Sequence, residues 1–408
     1  MIVYVFNQPF PDNSGFGRRC QREIEALSTK EFVTVVCRHQ LGEPMEEEVS
    51  LAGHLVKLVR FSAKSEVVHR PENYTGNGLY EIKRNLDLLA NLCKTLARVL
   101  KHYPRKEVKL YCVTSPLTVP LIVLFFAYFF RVKPSLVSFH DLEPELAMHL
   151  KNLPSNHWIV KVELFLESFV CKFFNKILVT TDSQAERLST RTHQPLSKFC
   201  SIVNTTDVAK NELFIPDQFT SFVAKNDFVI TYLSTISFDY TIIGLVKFLE
   251  NFAHELRKLP AVKVVIIGDG EGLKHVRSAV SRLDISSQVI CLGHISFPGG
   301  CLATSDAAII PWEQDIMTEV MLPTKLFEYL SFGIPVIAPD FGEFRRSLEN
   351  KNTALLFNDF AQISGMIHTL ISEKYQAKKI GQAGKQLYLS MYQPAILNKK
   401  LLNFCMAQ

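Results

Sequence analysis

Four stretches of the chain combine residue types and spacings that could do chemistry on an anionic or polyhydroxyl ligand. The richest reads Met321-Leu322-Pro323-Thr324-Lys325-Leu326-Phe327-Glu328-Tyr329-Leu330, running on to Phe332-Gly333-Ile334-Pro335. Its pattern predicts a helix over Lys325–Leu330, with Glu328 one turn beyond a loop of free N–H groups. A carboxylate so placed can accept two hydrogen bonds from a vicinal diol such as a ribose. The loop amides and the helix dipole suit a diphosphate or a sugar hydroxyl.

The run Ser135–Phe139 ends in His140-Asp141. A histidine beside an acid at the carboxyl end of a strand sits where α/β sheets bind substrates. Asp141 could equally be the N-cap of a following helix. After the run Ile2–Phe6, the residues Gly15-Phe16-Gly17-Arg18-Arg19 open a helical stretch. The two glycines would let backbone N–H groups approach an anion at the positive helix start, with both arginines nearby. No third glycine completes a dinucleotide fingerprint, and a flexible turn explains the same residues. Ile267-Gly268-Asp269-Gly270-Glu271-Gly272 is a tight turn that either lies under a ligand or serves the backbone alone. Asp340-Phe341-Gly342 mimics a kinase metal-binding triplet, but no kinase glycine loop or HRD segment accompanies it. With no DxD pair and no His/Cys ligand cluster, no required metal is expected.

The elements that must position these residues are strongly patterned. Short β-branched runs alternate with helical periods. The runs are Ile2–Phe6, Phe32–Cys37, Leu55–Phe61, Lys109–Val113, Ser135–Phe139 and Ile177–Thr180, then Phe228–Leu233, Lys263–Ile267, Val289–Leu292, Ala308–Pro311, Pro335–Ile337 and Thr353–Phe357. Strands so continuously apolar indicate parallel sheets covered on both faces. The pattern runs twice, with a join expected near Ala209–Asn226. The expected fold is therefore α/β, with two Rossmann-like doubly wound domains facing each other across a cleft. The expected domains are 1–210 on the acceptor side, 226–377 on the donor side, and a helical tail, 378–408, that returns to the first domain.

Bulk properties agree with a globular protein of this kind. The 408 residues are 47% hydrophobic and 21% charged, too many for one ordinary core. A net charge of +5 suits anionic phosphates or an acidic membrane, and is too small to indicate nucleic acid. Nine scattered cysteines with no CxxC pair read as buried thiols of a reducing compartment. No secretory signal is apparent at Met1–Phe6, so a cytoplasmic location is expected, and the Asn73 and Asn204 sequons read as chance matches. Pro116–Phe130 is almost wholly apolar and is followed by Arg131 and Lys133. It is shorter than the roughly 20 residues that cross a bilayer. It reads as a helix buried over the sheet, as one dipping into a membrane interface with basic residues at its rim, or as a true transmembrane span.

LPTKLFEYLSFGIPVIAPD resembles the donor-site helix of the GT-B glycosyltransferases of family 4, a large retaining group that includes lipid and polysaccharide glycosyltransferases. Further stretches resemble the family in the expected order: PDNSGFGRR, SFHD, TTDSQAERL, IVNTTD, VIIGDGEG, VICLGH and SDAAIIPW. The resemblance covers essentially the whole chain. It implies that Glu328 holds the donor ribose and that the amides around Pro323 and Thr324 face the donor sugar or phosphate. It also implies that Gly268 lines the donor site, that the loop of Gly15, Phe16, Gly17 and Arg18 lines the cleft, and that His140 or Asp141 orients the transferring sugar or the acceptor.

Two positions depart from the family. Val320, beside Glu319, stands where many members carry a second glutamate. Thr235 and Tyr240 stand where a phosphate-clamping Arg and Lys are usual. Lys325, Arg18 or Arg19 would then compensate, or hydroxyls such as those of Thr235 and Ser237 would hold the donor with backbone amides. The implied activity is metal-independent, retaining transfer from a UDP- or GDP-sugar to a saccharide or lipid-linked acceptor, as in polysaccharide synthesis, with peripheral membrane contact as a further expectation. A nucleotide-sugar 2-epimerase and an inactive, saccharide-binding scaffold are the competing readings.

Overall fold

The computed structural model describes residues 1–11, 15–40, 42–62, 78–114, 116–150, 153–205, 213–237, 240–296, 298–348 and 352–407. Their contacts divide the chain into two units, Met1–Ile202 with Asn398–Gln408, and Val203–Leu397. The predicted tail is thereby divided: residues 378–397 pack in the second unit and Asn398–Gln408 in the first. Residues 209–212 of the predicted join lie outside the described residues, as does the Asn73 sequon.

The first unit is built on eight strands: β1 (Ile2–Pro9), β2 (Val33–Arg38), β3 (Glu46–Leu51), β4 (His54–Phe61), β5 (Lys109–Val113), β6 (Lys133–Ser138), β7 (Lys176–Val179) and β8 (Phe199–Ser201). Their order is β3-β4-β2-β1-β5-β6-β7-β8. All neighbours are parallel except β3 and β4, which form an antiparallel hairpin. Ile2–Phe6 of β1 are buried without interruption, as expected of a central strand covered on both faces. β3 and β8 have no counterpart in the sequence reading. β3 is an edge strand whose side chains are all exposed or half-buried, so its acidic sequence carries no apolar signal. Ala52 and Gly53 make its two-residue turn, both at positive φ (49° and 83°). β8 is three residues long, too short to show a period.

The second unit has six parallel strands: β9 (Phe228–Leu233), β10 (Val262–Ile267), β11 (Val289–Gly293), β12 (Ala307–Ile309), β13 (Val336–Pro339) and β14 (Leu355–Phe357). They lie in the order β11-β10-β9-β12-β13-β14. The chain therefore starts at β9, steps one way to β10 and β11, and then crosses to the other side of β9 for β12. That reversal makes the carboxyl ends of β9 and β12 the topological switch point, where open α/β sheets bind ligands. β1 and β5 form the corresponding point of the first sheet.

The apolar segment at Pro116–Phe130 forms the helix Thr118–Phe130. Val119, Val123, Phe126, Ala127 and Phe130 are buried, while Phe125, Tyr128 and Phe129 are exposed. Among the described residues, no helix is long and apolar enough to cross a membrane. All nine cysteines are free, seven of them buried, with Cys93 and Cys291 half-buried.

Candidate functional site

In the second unit, the helix Thr324–Phe332 begins beside the switch point. Pro323 occupies its N-cap in an extended conformation, which pre-sets the entry of the chain, and Gly333 closes it at φ 73°. The helix is tied to the sheet by its own side chains. The Tyr329 hydroxyl accepts a 2.7 Å hydrogen bond from the N–H of Leu233, the last residue of β9. The Lys325 ammonium lies 4.7 Å from the ring of Tyr232 and 5.8 Å from that of Trp312, which follows β12. A cation over two aromatic faces, with 8% of its residue exposed, is held by the ring quadrupoles rather than by bulk water. Glu328, on the same helix, retains 9% exposure.

Beyond β9, Thr235 is exposed, Ser237 half-buried and Ile236 buried. Backbone bonds fix this loop against the turn after β10: Ser234 N–H to Ile267 O at 3.0 Å, Ile236 N–H to Asp269 O at 2.9 Å, and Gly272 N–H to Ile236 O at 2.9 Å. A Cβ on Gly268 would stand 1.7 Å from the Ser234 carbonyl oxygen, at a φ of 142°. The glycine turn is thus demanded by backbone approach, whatever ligand it also meets. Ser237 N–H bonds to the Thr241 hydroxyl at 3.2 Å, which ties the loop to the first turn of the helix Tyr240–Leu256. The Tyr240 side chain lies outside the described residues. Val320 is buried, and Glu319 accepts a 2.8 Å bond from the Gln314 amide. Asp340, of the kinase-like triplet, is bonded to Arg345 at 2.8 Å and to Asn358 at 3.1 Å, a structural role.

In the first unit, Gly15 and Arg18 are exposed at the start of the helix Gly15–Ser28, and Gly17 is buried. Asp12–Ser14, which precede it, lie outside the described residues. The loop is anchored at its base, where the fully buried Arg60 donates to the Phe10 carbonyl at 3.1 Å. Phe16 is half-buried, its ring 4.7 Å from that of His140. His140 follows β6, is 7% exposed, and its buried Nε2 finds no hydrogen-bond partner among the described residues. Burial, reinforced by the charges of Arg19 and Arg22, holds its imidazole well below the usual histidine range. Burial pushes the half-buried Asp141 carboxyl up, against an opposing pull from Arg19.

Sequence reasoning missed the network beneath His140. The Arg19 guanidinium bonds Glu23 at 2.8 Å, the Ser138 hydroxyl at 3.3 Å and the Val179 carbonyl at 3.4 Å. Glu23 also accepts from the Tyr4 hydroxyl at 2.5 Å and from Ser138 at 3.1 Å. Arg19 is therefore committed to a buried ion pair and is not a spare phosphate cation. The available signal was its phase: Arg19 and Glu23 share the helix face of the apolar Cys20, Ile24 and Leu27, so both charges point into the core.

The structure thus gathers His140, Asp141 and Phe16 in the first unit, beside a loop that includes Gly15, Gly17 and Arg18. In the second it gathers Thr235, Ser237, Gly268, Pro323, Thr324, Lys325 and Glu328 around the ends of β9, β10 and β12. A cavity of about 520 Å³ lined by Asp227, Lys258, Asp306 and Lys374 opens at the opposite, amino-terminal edge of the second sheet. The strand-end rule assigns it no ligand. Among the described residues, no group of three or more His, Cys, Asp or Glu could hold a metal ion.

Residues 216–387 match the family described as glycosyl transferases group 1. No curated protein matches the chain. Among solved structures, HepE of Anabaena in complex with UDP is similar at 13% identity and a TM-score of 0.69, covering 98% of each chain. Sucrose-phosphate synthase of Thermosynechococcus elongatus is similar at 14% identity and a TM-score of 0.72, over 98% of this chain and 96% of that one. A glycosyltransferase of Rickettsia africae is similar at 14% identity and a TM-score of 0.67, over 100% and 99%. The fold is therefore that of the GT-B glycosyltransferases, two Rossmann-like α/β domains, and the second unit carries a glycosyltransferase group 1 domain.

Proposed function

We propose that this chain, whose residues 216–387 are a glycosyltransferase group 1 domain, moves a sugar from a UDP- or GDP-sugar to a saccharide or lipid-linked acceptor, with retention and without a resident metal. The observation that carries the reading is the helix Thr324–Phe332 at the β9/β12 switch point, with Lys325 and Glu328 on its first turns. Glu328 would accept hydrogen bonds from the donor ribose. The amides at the helix start, with Lys325, would face the diphosphate, and the hydroxyls of Thr235 and Ser237 would supplement them. That HepE is seen with UDP and with UDP-glucose supports a uridine donor. On the acceptor side, neutral His140 would hydrogen-bond a sugar hydroxyl through its unsatisfied Nε2 once a ligand reaches it, with Asp141 and the loop of Gly15, Phe16, Gly17 and Arg18 beside it.

In the reaction, the bond from the anomeric carbon to the diphosphate oxygen breaks as the acceptor oxygen bonds to the same face. The departing diphosphate takes up the acceptor proton. Stabilising that leaving charge is the main electrostatic task, and it falls to the helix start and Lys325. Calorimetry with UDP and GDP tests the donor half. Wild-type protein should bind one of them, and Glu328→Ala should weaken it about 10- to 100-fold, the loss of charge-assisted hydrogen bonds, with the fold intact. Unchanged affinity would remove the ribose role.

The exposed Thr235, at a position where the resemblance expects a cation, favours a second reading as an inactive scaffold. Folded protein that binds neither nucleotide would establish it.

A further inference from the structure

Two helices of the first unit, Thr118–Phe130 and Trp158–Phe173, turn apolar side chains away from the sheet. β5, β6 and β7 follow one another in one direction, so right-handed crossovers put both connecting helices on the same face of the sheet. The helices touch each other. Phe125, Tyr128, Phe129, Trp158 and Phe165 are each 63–88% exposed, and Val162, Phe169 and Phe173 are 40–48% exposed. Residues 158, 162, 165, 169 and 173 recur at helical spacing, so the solvent side of that helix is itself an apolar stripe. Single exposed hydrophobics are ordinary, whereas this many on two adjoining helices mark an interaction surface.

The exposed charges on these two helices and just past the first are all basic. Lys161 and Lys172 are exposed on the second helix, Arg131 and Lys133 just past the first. The Arg105 guanidinium lies 5.8 Å from the Phe130 ring. The first helix carries no charged residue. The acids of the second are the half-buried Glu163 and the fully buried Glu167, which Arg191 engages at 2.6 Å.

We propose that this two-helix face docks on an anionic lipid bilayer. The rings, including the amphipathic Trp158 and Tyr128, enter the interfacial layer, and the basic residues rest on lipid phosphates. The docking does not depend on sugar chemistry. That a lipid-linked acceptor would be met at this surface is a corollary resting on the proposed transfer.

The protein carries its own probe. Of its two tryptophans, Trp158 is 68% exposed and Trp312 only 2%, so a change in emission on adding lipid reports on Trp158. Vesicles of equal parts phosphatidylcholine and phosphatidylglycerol should shift the emission to the blue and carry the protein down on sedimentation, while pure phosphatidylcholine should do so far less. Phe125→Ser with Phe129→Ser should bind about 100-fold more weakly, near tenfold for each ring withdrawn from lipid. Lys161→Glu with Lys172→Glu should abolish the preference for anionic vesicles. Circular dichroism establishes that these surface variants remain folded. The proposal is overturned by wild-type protein that neither shifts nor sediments, or by serine variants that bind as tightly as wild type. A wild-type dimer that the serine variants dissociate would also overturn it, giving the face to a second copy of the chain. Nucleotide calorimetry is read separately, so loss of vesicle binding leaves the donor site standing, and the reverse.

Discussion

His140 shows how one side chain's surroundings set its chemistry. Burial and the charges of Arg19 and Arg22 keep its imidazole neutral in the fold, whereas an unfolded chain would protonate it near pH 6.5. Below about pH 6.5 the unfolded state therefore binds a proton that the native state refuses. Stability falls with pH there, by up to about 1.4 kcal/mol per unit. His140→Asn should lessen the loss of stability between about pH 7 and pH 5.5 by that amount, measured by urea unfolding. An equal loss in both proteins would mean that His140 titrates normally. His140 and Glu328 were legible in the sequence because each follows a readable strand or loop at a spacing that fixes its place. The Arg19–Glu23 pair was not, since charges four apart on a helix ordinarily read as a solvated face. Only the helix's packing against β1 and β6, through Tyr4 and Ser138, shows that they are inside.

At the scale of elements, twelve strands could be read because parallel strands buried on both faces are continuous apolar runs. β3 and β8 could not, one being acidic and at an edge, the other too short. The glycine turn after β10 was ambiguous in sequence, and the backbone resolves its structural part. Gly268→Ala would drive a Cβ to within 1.7 Å of the Ser234 carbonyl at a φ that L-residues avoid. A loss of about 3 kcal/mol or more is expected, read as a shift of the denaturant midpoint. Gly15→Ala, where a Cβ would meet nothing within 4 Å among the described residues, should cost less than about 1 kcal/mol. Similar costs at both positions would contradict the packing described for the turn.

At the scale of the whole molecule, the doubling of the α/β pattern was plain in the sequence, while the place where the tail changes units was not. Helical period runs on through 378–408 without a break in composition, and only contacts reveal that the first unit takes back Asn398–Gln408. The segment is well held: Leu401 is 1% exposed, and the Lys176 ammonium donates to the carbonyls of Phe404 at 2.6 Å, Cys405 at 3.1 Å and Ala407. Ending the chain at Leu397 should destabilise the first unit by about 3–5 kcal/mol, from the apolar burial and capping lost. Hydrogen exchange at β7 and β8 would show it, and unchanged protection would refute it.

Protein synthesis gives that arrangement a timetable. The ribosome delivers residues 1–202 first, and then all of Val203–Leu397, before the stretch that finishes the opening sheet's packing emerges. At ordinary elongation rates the delay is roughly 10–40 s. Throughout it the nascent first unit lacks Leu401 and Cys405, both buried in the finished fold.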